Sequence, residues 1–327
     1  MKNYNVGVIG ATGMVGSMII QVLKERSFPI KQLHLFASER SSGTEVMFND
    51  ETLLVETLNL ENLKNAQLDI VLMSAGGAIS EQFAPALAAM NVLVIDNSSY
   101  WRMHDDVALV VPEVNGAFMQ KGQIVANPNC STIQSVLPLK ALHDAYTLKR
   151  VVYTTYQAVS GSGVKGIRDL KENLSDNYPY PIRHNILPHI DDFLESGYTK
   201  EEMKMIEETR KILGLKDLKV TATTARVPLE NTHAVSMNIE LQKPFTLDGV
   251  RDVLANFEGI VLVDNPQDNK YPLAQDAQGS DMVFVGRLRV DDSVENGLHL
   301  WCVADNIRKG AASNTVQIAL KAIEGWQ

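Results

Sequence analysis

Val8-Ile9-Gly10-Ala11-Thr12-Gly13-Met14-Val15-Gly16 runs from the end of a short apolar stretch into a segment of helical periodicity. Upstream, residues 5–9 read as a buried strand. Downstream, Val15, Met18, Ile19, Val22 and Leu23 share one face of a helix over residues 14–25. The glycines are spaced G-x-x-G-x-x-G rather than G-x-G-x-x-G, but the physical demand is the same. Glycine allows a tight turn and close backbone approach, and the N-terminus of the following helix favours a pyrophosphate. Strand, Gly-rich turn and helix in that order predict an α/β fold with a Rossmann-type dinucleotide site, in which Gly10, Thr12, Gly13, Met14 and Val15 line the cofactor.

The alternation continues outward from this loop. Strand signals at 32–37, 70–74, 92–96, 107–111 and 123–126 are interleaved with a helix over 78–90, which implies parallel strands joined by crossover helices. The end of the second strand normally selects between the two nicotinamide dinucleotides. Here it reads Phe36-Ala37-Ser38-Glu39-Arg40-Ser41, so Ser38, Arg40 and Ser41 are placed to hold a 2′-phosphate and NADP is the expected cofactor. Glu39, in the same stretch, leaves NAD open.

Beyond residue 129 the texture changes. A helical stretch at 131–146 is followed by longer strand-like runs at 150–157, 219–226, 234–241, 259–263, 281–290 and 298–304. Several of these alternate polar and apolar residues, the pattern of a sheet with one packed face. Helices are expected at 199–213 and 246–256, and a loop at 176–188. The last helix, 311–323, is expected to pack back on the first domain. The predicted architecture is therefore a Rossmann-type NADP-binding domain, 1–129 with 307–327, and an α+β catalytic and dimerisation domain, 130–306, built on a large mixed, mostly antiparallel sheet.

Composition narrows the function. With 45% hydrophobic and 21% charged residues, the 327-residue chain reads as a soluble globular protein. A net charge of −9 argues against a nucleic-acid surface. Only two cysteines, Cys130 and Cys302, point to a reducing, cytoplasmic setting without disulfides. No signal peptide, membrane span or metal-ligand cluster is read.

Asn127-Pro128-Asn129-Cys130-Ser131-Thr132 follows a strand and opens a helix, at the junction of the two domains. A cysteine there feels the positive end of the helix dipole, which favours the thiolate. Cys302 lies inside an apolar strand and reads as structural.

The Asn-Pro-Asn-Cys-Ser-Thr motif resembles the active-site motif of aspartate-semialdehyde dehydrogenases. The resemblance covers essentially the whole chain. It runs through Gly10-Ala11-Thr12-Gly13, Asp96-Asn97-Ser98-Ser99, Gln157-Ala158-Val159-Ser160-Gly161, Arg226-Val227-Pro228 and Asn306-Ile307-Arg308-Lys309-Gly310. It implies that Cys130 is the nucleophile forming an acyl-thioester and that His233, seven residues after Arg226, is the general acid/base. It further implies that Arg226 clamps the substrate carboxylate, with Gln157, Glu201 and Asn129 completing the substrate site. Arg102 and Lys204 would hold phosphate, and Ser160, Gly161 and Asn306 would lie near the nicotinamide. The implied reaction is NADPH-dependent reductive dephosphorylation of L-aspartyl-4-phosphate to L-aspartate 4-semialdehyde, a step toward lysine, methionine and threonine. The implied assembly is a homodimer, or a tetramer, formed through the sheet of the second domain.

Two other readings share much of this pattern. An N-acetyl-glutamyl-phosphate reductase uses the same architecture and nucleophile strategy, although its cysteine motif usually reads differently. A catalytically inactive dinucleotide-binding homologue would be expected to have lost Cys130, Gln157, Arg226 or His233, all of which are present. A cofactor-free Cys–His hydrolase would leave the Gly-rich loop without a purpose.

Overall fold

A computed structural model describes residues 2–116 and 119–326. The chain forms two compact units, Met1–Pro128 with Ala311–Gln327, and Asn129–Gly310. The first unit opens with β1 (Tyr4–Ile9), α1 (Met14–Glu25), β2 (Ile30–Ala37), β3 (Glu45–Phe48), β4 (Glu51–Thr57), α2 (Leu60–Asn65) and β5 (Ile70–Met73). It continues with α3 (Gly77–Ala89), β6 (Leu93–Asp96), β7 (Ala108–Leu109), α4 (Pro112–Asn115) and β8 (Ile124–Ala126). The second unit holds α5 (Cys130–Tyr146), β9 (Leu148–Gln157), α6 (Gly163–Glu172), α7 (Lys200–Leu213), β10 (Lys219–Arg226) and β11 (His233–Leu241). It ends with α8 (Leu247–Ala255), β12 (Ile260–Leu262), α9 (Ala274–Ala277), β13 (Val283–Asp291) and β14 (Gly297–Ala304), before α10 (Ser313–Glu324) rejoins the first unit.

In the first unit the strands are ordered β3-β4-β2-β1-β5-β6-β8-β7, all parallel except the β3–β4 pair. Both faces of its centre are covered. Val6 and Val8 pack with Ile19 and Leu23 of α1 and Val316 of α10, while Ile9, Val71 and Met73 pack with Phe83 and Leu87 of α3. Burial on both faces explains the uninterrupted apolar character of Ile70–Met73.

The second unit is built on a six-stranded sheet, β10-β9-β11-β14-β13-β12. Its three central pairings are antiparallel and its two outer ones parallel, the mixed, mostly antiparallel sheet anticipated. Along β11, Val235, Met237 and Ile239 are buried while Ser236, Asn238 and Glu240 are half-buried, which makes one face of the sheet the core face. Helix α5 packs against β9, β11 and β14.

Six elements escaped the sequence reading: β3, β4, α2, α6 and the four-residue helices α4 and α9. In strands β3 and β4, Val46, Phe48, Leu53 and Val55 face the core, but the apolar Met47 and Leu54 on the exposed face hide the alternation. The short helix α2 went unread, and the strand expected at 107–111 contracts to the two residues of β7. Helix α6 has two glycines in its first four residues, and glycine is a poor helix former. Gly166 is nonetheless required there: a Cβ would lie 2.5 Å from both the Tyr178 hydroxyl and the Val159 carbonyl oxygen.

Candidate active site

The turn between β1 and α1 has the geometry of a phosphate cradle. Gly10 has φ +85°, and a Cβ on it would fall 2.3 Å from the Ser74 carbonyl oxygen. A Cβ on Gly16 would fall 2.0 Å from the Gly10 carbonyl oxygen, so only glycine lets α1 approach the turn this closely. Thr12 and Gly13 are exposed, Met14 and Val15 half-buried, and Gly13 is the N-cap of α1 with no side chain across the helix start. Gly10, Thr12, Gly13, Ser38, Arg40 and Ser41 together line a cleft of about 510 Å³. Ser38 and Arg40 are exposed on its rim. These residues fit a dinucleotide, and the exposed guanidinium and hydroxyl groups are of the kind that can bind a phosphate. In the same unit Arg102 is buried, its Nε donating to the Asn127 carbonyl at 3.0 Å and its Nη2 to the Asn97 carbonyl at 2.8 Å.

In the second unit Cys130 is the first residue of α5 and is half-buried, its sulfur in no disulfide. The residue before it, Asn129, is the N-cap. Its Oδ1 accepts from Ser131 N at 2.9 Å and Thr132 N at 3.3 Å. Those two N–H groups are therefore engaged by the cap and are not open donors for an oxyanion. Close packing fixes Cys130 from the other side, because a Cβ on Gly310 would lie 2.8 Å from the Cys130 Cβ.

Asn129 Nδ2 donates to Glu201 Oε1 at 2.9 Å, and Gln157 Nε2 donates to the same oxygen at 3.1 Å. Lys204 Nζ lies 3.2 Å from the other oxygen, Oε2. Burial alone would raise the Glu201 carboxyl, but the Lys204 charge and these hydrogen bonds outweigh it, and its pKa lies below the ordinary glutamate value. Lys204 also meets Asp191 at 2.7 Å, so the expected phosphate cation stands between two carboxylates.

Gln157 and Arg226 are cross-strand partners in the parallel β9–β10 pair. Arg226 Nη1 donates to the Ala158 carbonyl at 2.7 Å, and its buried Nε has no partner. The N–H of Ala158 donates to Nδ1 of His233 at 3.0 Å. With Nδ1 accepting, the neutral ring carries its proton on Nε2, which is buried and unpaired. Burial, reinforced by the Arg226 charge and only weakly opposed by the Thr232 backbone, lowers the His233 pKa from 6.5 to about 3. The ring is thus held neutral, as a donor at Nε2 rather than a base there. A Cβ on Gly161 would stand 2.8 Å from Arg226 Nη1 and 3.4 Å from His233 Nε2, so both groups border the space that this glycine leaves open. Unpaired buried polar atoms are uncommon, and His233 Nε2 at the border of this gap marks a site shaped for a polar ligand.

Thr232 has φ +80°, a strained value for a β-branched residue. Its N–H donates to Asn306 Oδ1 at 2.8 Å, and Asn306 Nδ2 donates to Ser160 Oγ at 2.9 Å. Ser160, Asn306 and the Thr232 backbone thus form one buried network, next in the chain to His233. A Cβ on Gly310 would also lie 3.6 Å from the Asn306 Cβ, which ties this network to Cys130. The sequence reading missed Ala158, Thr232, Asp191, Gly310 as a packing residue, and Glu208, whose Oε2 accepts from Asn129 N at 2.6 Å. Among the described residues no group of three or more His, Cys, Asp or Glu side chains is arranged to hold a metal ion.

Two family models match the chain: the semialdehyde dehydrogenase NAD binding domain over residues 5–121, and the semialdehyde dehydrogenase dimerisation domain over residues 139–309. The aspartate-semialdehyde dehydrogenase of Aquifex aeolicus is 50% identical over 331 residues, covering 97% of each chain. The chain belongs to the aspartate-semialdehyde dehydrogenase family. The crystal structure of aspartate semialdehyde dehydrogenase II from Vibrio cholerae superposes with a TM-score of 0.93 at 43% identity over the whole of both chains. The same Vibrio protein complexed with ASA matches with the same TM-score at 42% identity. Kinship with aspartate-semialdehyde dehydrogenases over this length and at this identity favours that activity over the acetylglutamyl-phosphate reductase reading.

Proposed function

We propose that this protein catalyses the NADPH-dependent reductive dephosphorylation of L-aspartyl-4-phosphate to L-aspartate 4-semialdehyde through a thioester on Cys130. The observation that carries the reading is the half-buried Cys130 thiol at the start of α5, with Asn129 capping the helix. The Cys130 thiolate attacks the acyl carbon, and the carbon–oxygen bond to phosphate breaks, leaving a thioester and inorganic phosphate. Bound NADPH supplies a hydride to that carbonyl. Through the resulting tetrahedral stage the Nε2–H of His233 donates to the carbonyl-derived oxygen, a contribution typically worth about 3–4 kcal/mol for such a donor. Collapse re-forms the carbonyl, expels the Cys130 thiolate and releases the semialdehyde.

Arg226 receives the substrate carboxylate on its unpaired Nε edge. Glu201 takes the substrate ammonium, and Gln157 and Asn129 orient the acyl group. Lys204 and Arg102 hold the phosphoryl group. Gly10, Thr12, Gly13, Met14 and Val15 hold the pyrophosphate end of the cofactor, Ser38, Arg40 and Ser41 its 2′-phosphate, and Ser160, Gly161 and Asn306 its nicotinamide.

A dimer through the sheet of the second unit completes the reading. The face of that sheet away from α5 carries Tyr156, Ser236, Trp301 and Val303 around an open, largely apolar cleft of about 590 Å³. Light scattering separates the dimer from a tetramer. No helix among the described residues is long and apolar enough to cross a membrane, and we place the protein in the cytoplasm.

The deciding experiment is Cys130→Ser, assayed for NADP reduction with semialdehyde and phosphate. Turnover should disappear while NADP binding persists. Parental turnover in the folded variant refutes the thioester route.

A further inference from the structure

Helix α7 turns one face inward, and Glu201, Met205, Glu208, Thr209 and Ile212 lie on it at helical spacing, all buried. Such a face is ordinarily apolar. Met205 and Ile212 follow that rule, and Thr209 is satisfied by the Tyr153 hydroxyl at 3.0 Å. Two positions a heptad apart carry carboxylates instead, and burying a carboxylate is costly unless it is strongly hydrogen-bonded. Both carboxylates reach the same residue. Glu201 Oε1 takes Asn129 Nδ2 at 2.9 Å, and Glu208 Oε2 takes the backbone N–H of Asn129 at 2.6 Å. The remaining polar side-chain atom, Oδ1, caps α5 through Ser131 and Thr132. Asn129 has φ −59° and ψ 142°, the extended step after which the chain turns into the helix that begins at Cys130.

We propose that Glu208 is a positioning residue for the nucleophile. Its carboxylate fixes the Asn129 peptide, and the fixed peptide sets where the Cys130 thiol emerges from α5. Glu208 has no part in the substrate contacts assigned above. Glu202, its buried neighbour on the same helix, serves differently: it closes a capping box with Thr199 and accepts from Thr224 N at 3.1 Å, which stabilises the start of α7. This inference rests on reading Cys130 as the nucleophile.

The test compares Glu208→Ala with Glu208→Gln, which keeps an acceptor oxygen at the same reach. Three quantities are measured: kcat and KM for the semialdehyde, the rate of Cys130 alkylation by iodoacetamide followed by mass spectrometry, and Tm. Cys302 does not interfere, because it is fully buried and burial pushes its thiol pKa far up. Glu208→Ala should slow both kcat and Cys130 alkylation by about tenfold or more with little change in KM, since small misplacements of a reacting group have effects of this size. Glu208→Gln should recover most of both rates. If Glu208→Ala lowers Tm but the folded protein keeps parental kcat and alkylation rate, Glu208 is only structural and the proposal is overturned. Should the alanine variant not fold, Glu208→Asp replaces it: the withdrawn carboxylate should give slow alkylation, and a parental rate overturns the proposal. Failure of the nucleophile reading looks different, because Cys130→Ser would then retain turnover whatever the alkylation rates of the Glu208 variants.

Discussion

Ala158 and His233 are joined by a hydrogen bond from backbone N–H to ring Nδ1 at 3.0 Å, across 75 residues of sequence. The carbonyl of the same residue accepts from Arg226, so the backbone of Ala158 orients both the ring and the guanidinium. A backbone N–H cannot accept a proton. The ring it binds is therefore confined to the tautomer protonated on Nε2.

Nitrogen NMR of the His233 ring should show that tautomer, neutral, from about pH 8 down to about pH 5, where an unperturbed imidazole would be largely charged. An imidazolium signal, or a proton on Nδ1, would contradict the arrangement. Stability follows with a definite sign. The folded-state pKa of about 3 lies below the ordinary 6.5, so the unfolded chain takes up the proton first. The stability contributed by the neutral ring is fully present above about pH 6.5 and is lost as the pH falls toward 3. The Tm of His233→Asn should thus decline less steeply than that of the parent over this interval, and parallel curves would count against the assignment.

Gly310→Ala places a methyl group 2.8 Å from the Cys130 Cβ and 3.3 Å from its Cα. Neither atom is the end of a flexible side chain, so the start of α5 must shift. Overpacking of this kind costs about 1–3 kcal/mol, and kcat should fall further than stability alone explains because the shift lies at the nucleophile. Calorimetry with steady-state kinetics checks this, and an unchanged kcat would mean that the contact relaxes without moving the thiol.

Asp191 holds Lys204 at 2.7 Å, in competition with any phosphate that Lys204 binds. Burial would raise the Asp191 carboxyl, yet the Lys204 contact prevails and its pKa is lowered, so the aspartate is charged at neutral pH. Asp191→Asn should lower KM for phosphate several-fold in the phosphorylating direction. A KM that stays level or rises would remove Lys204 from the phosphate site.

Arg40 is exposed on the rim of the cleft beside the Gly10–Gly13 turn. One charged hydrogen bond to a 2′-phosphate is worth about 1.5–3 kcal/mol, so Arg40→Ala should raise KM for NADPH roughly ten- to a hundredfold. KM for NADH, which lacks that phosphate, should hardly move. Equal effects on the two cofactors would assign Arg40 a role other than reading the phosphate.

Features encoded in local covalent preferences were open to the sequence. The glycine spacing announced the turn because φ at Gly10 and close approach at Gly10 and Gly16 exclude a Cβ, and helix α1 was read over its full length from the spacing of its apolar face. The helix start at Cys130 was legible from the change of pattern after the preceding strand, whereas the cap that Asn129 supplies was not read. What the tertiary structure alone decided are contacts between residues far apart in the chain. Glu208 reaches Asn129 across 79 residues and Asn306 reaches Ser160 across 146, and no periodicity records such pairs. The tautomer of His233, the neutralisation of Lys204 by Asp191 and the crowding of Cys130 by Gly310 belong to this second kind. Hydrogen-bond direction, desolvation and steric exclusion depend on which groups meet in space, and only packing the strands and helices brings those groups together.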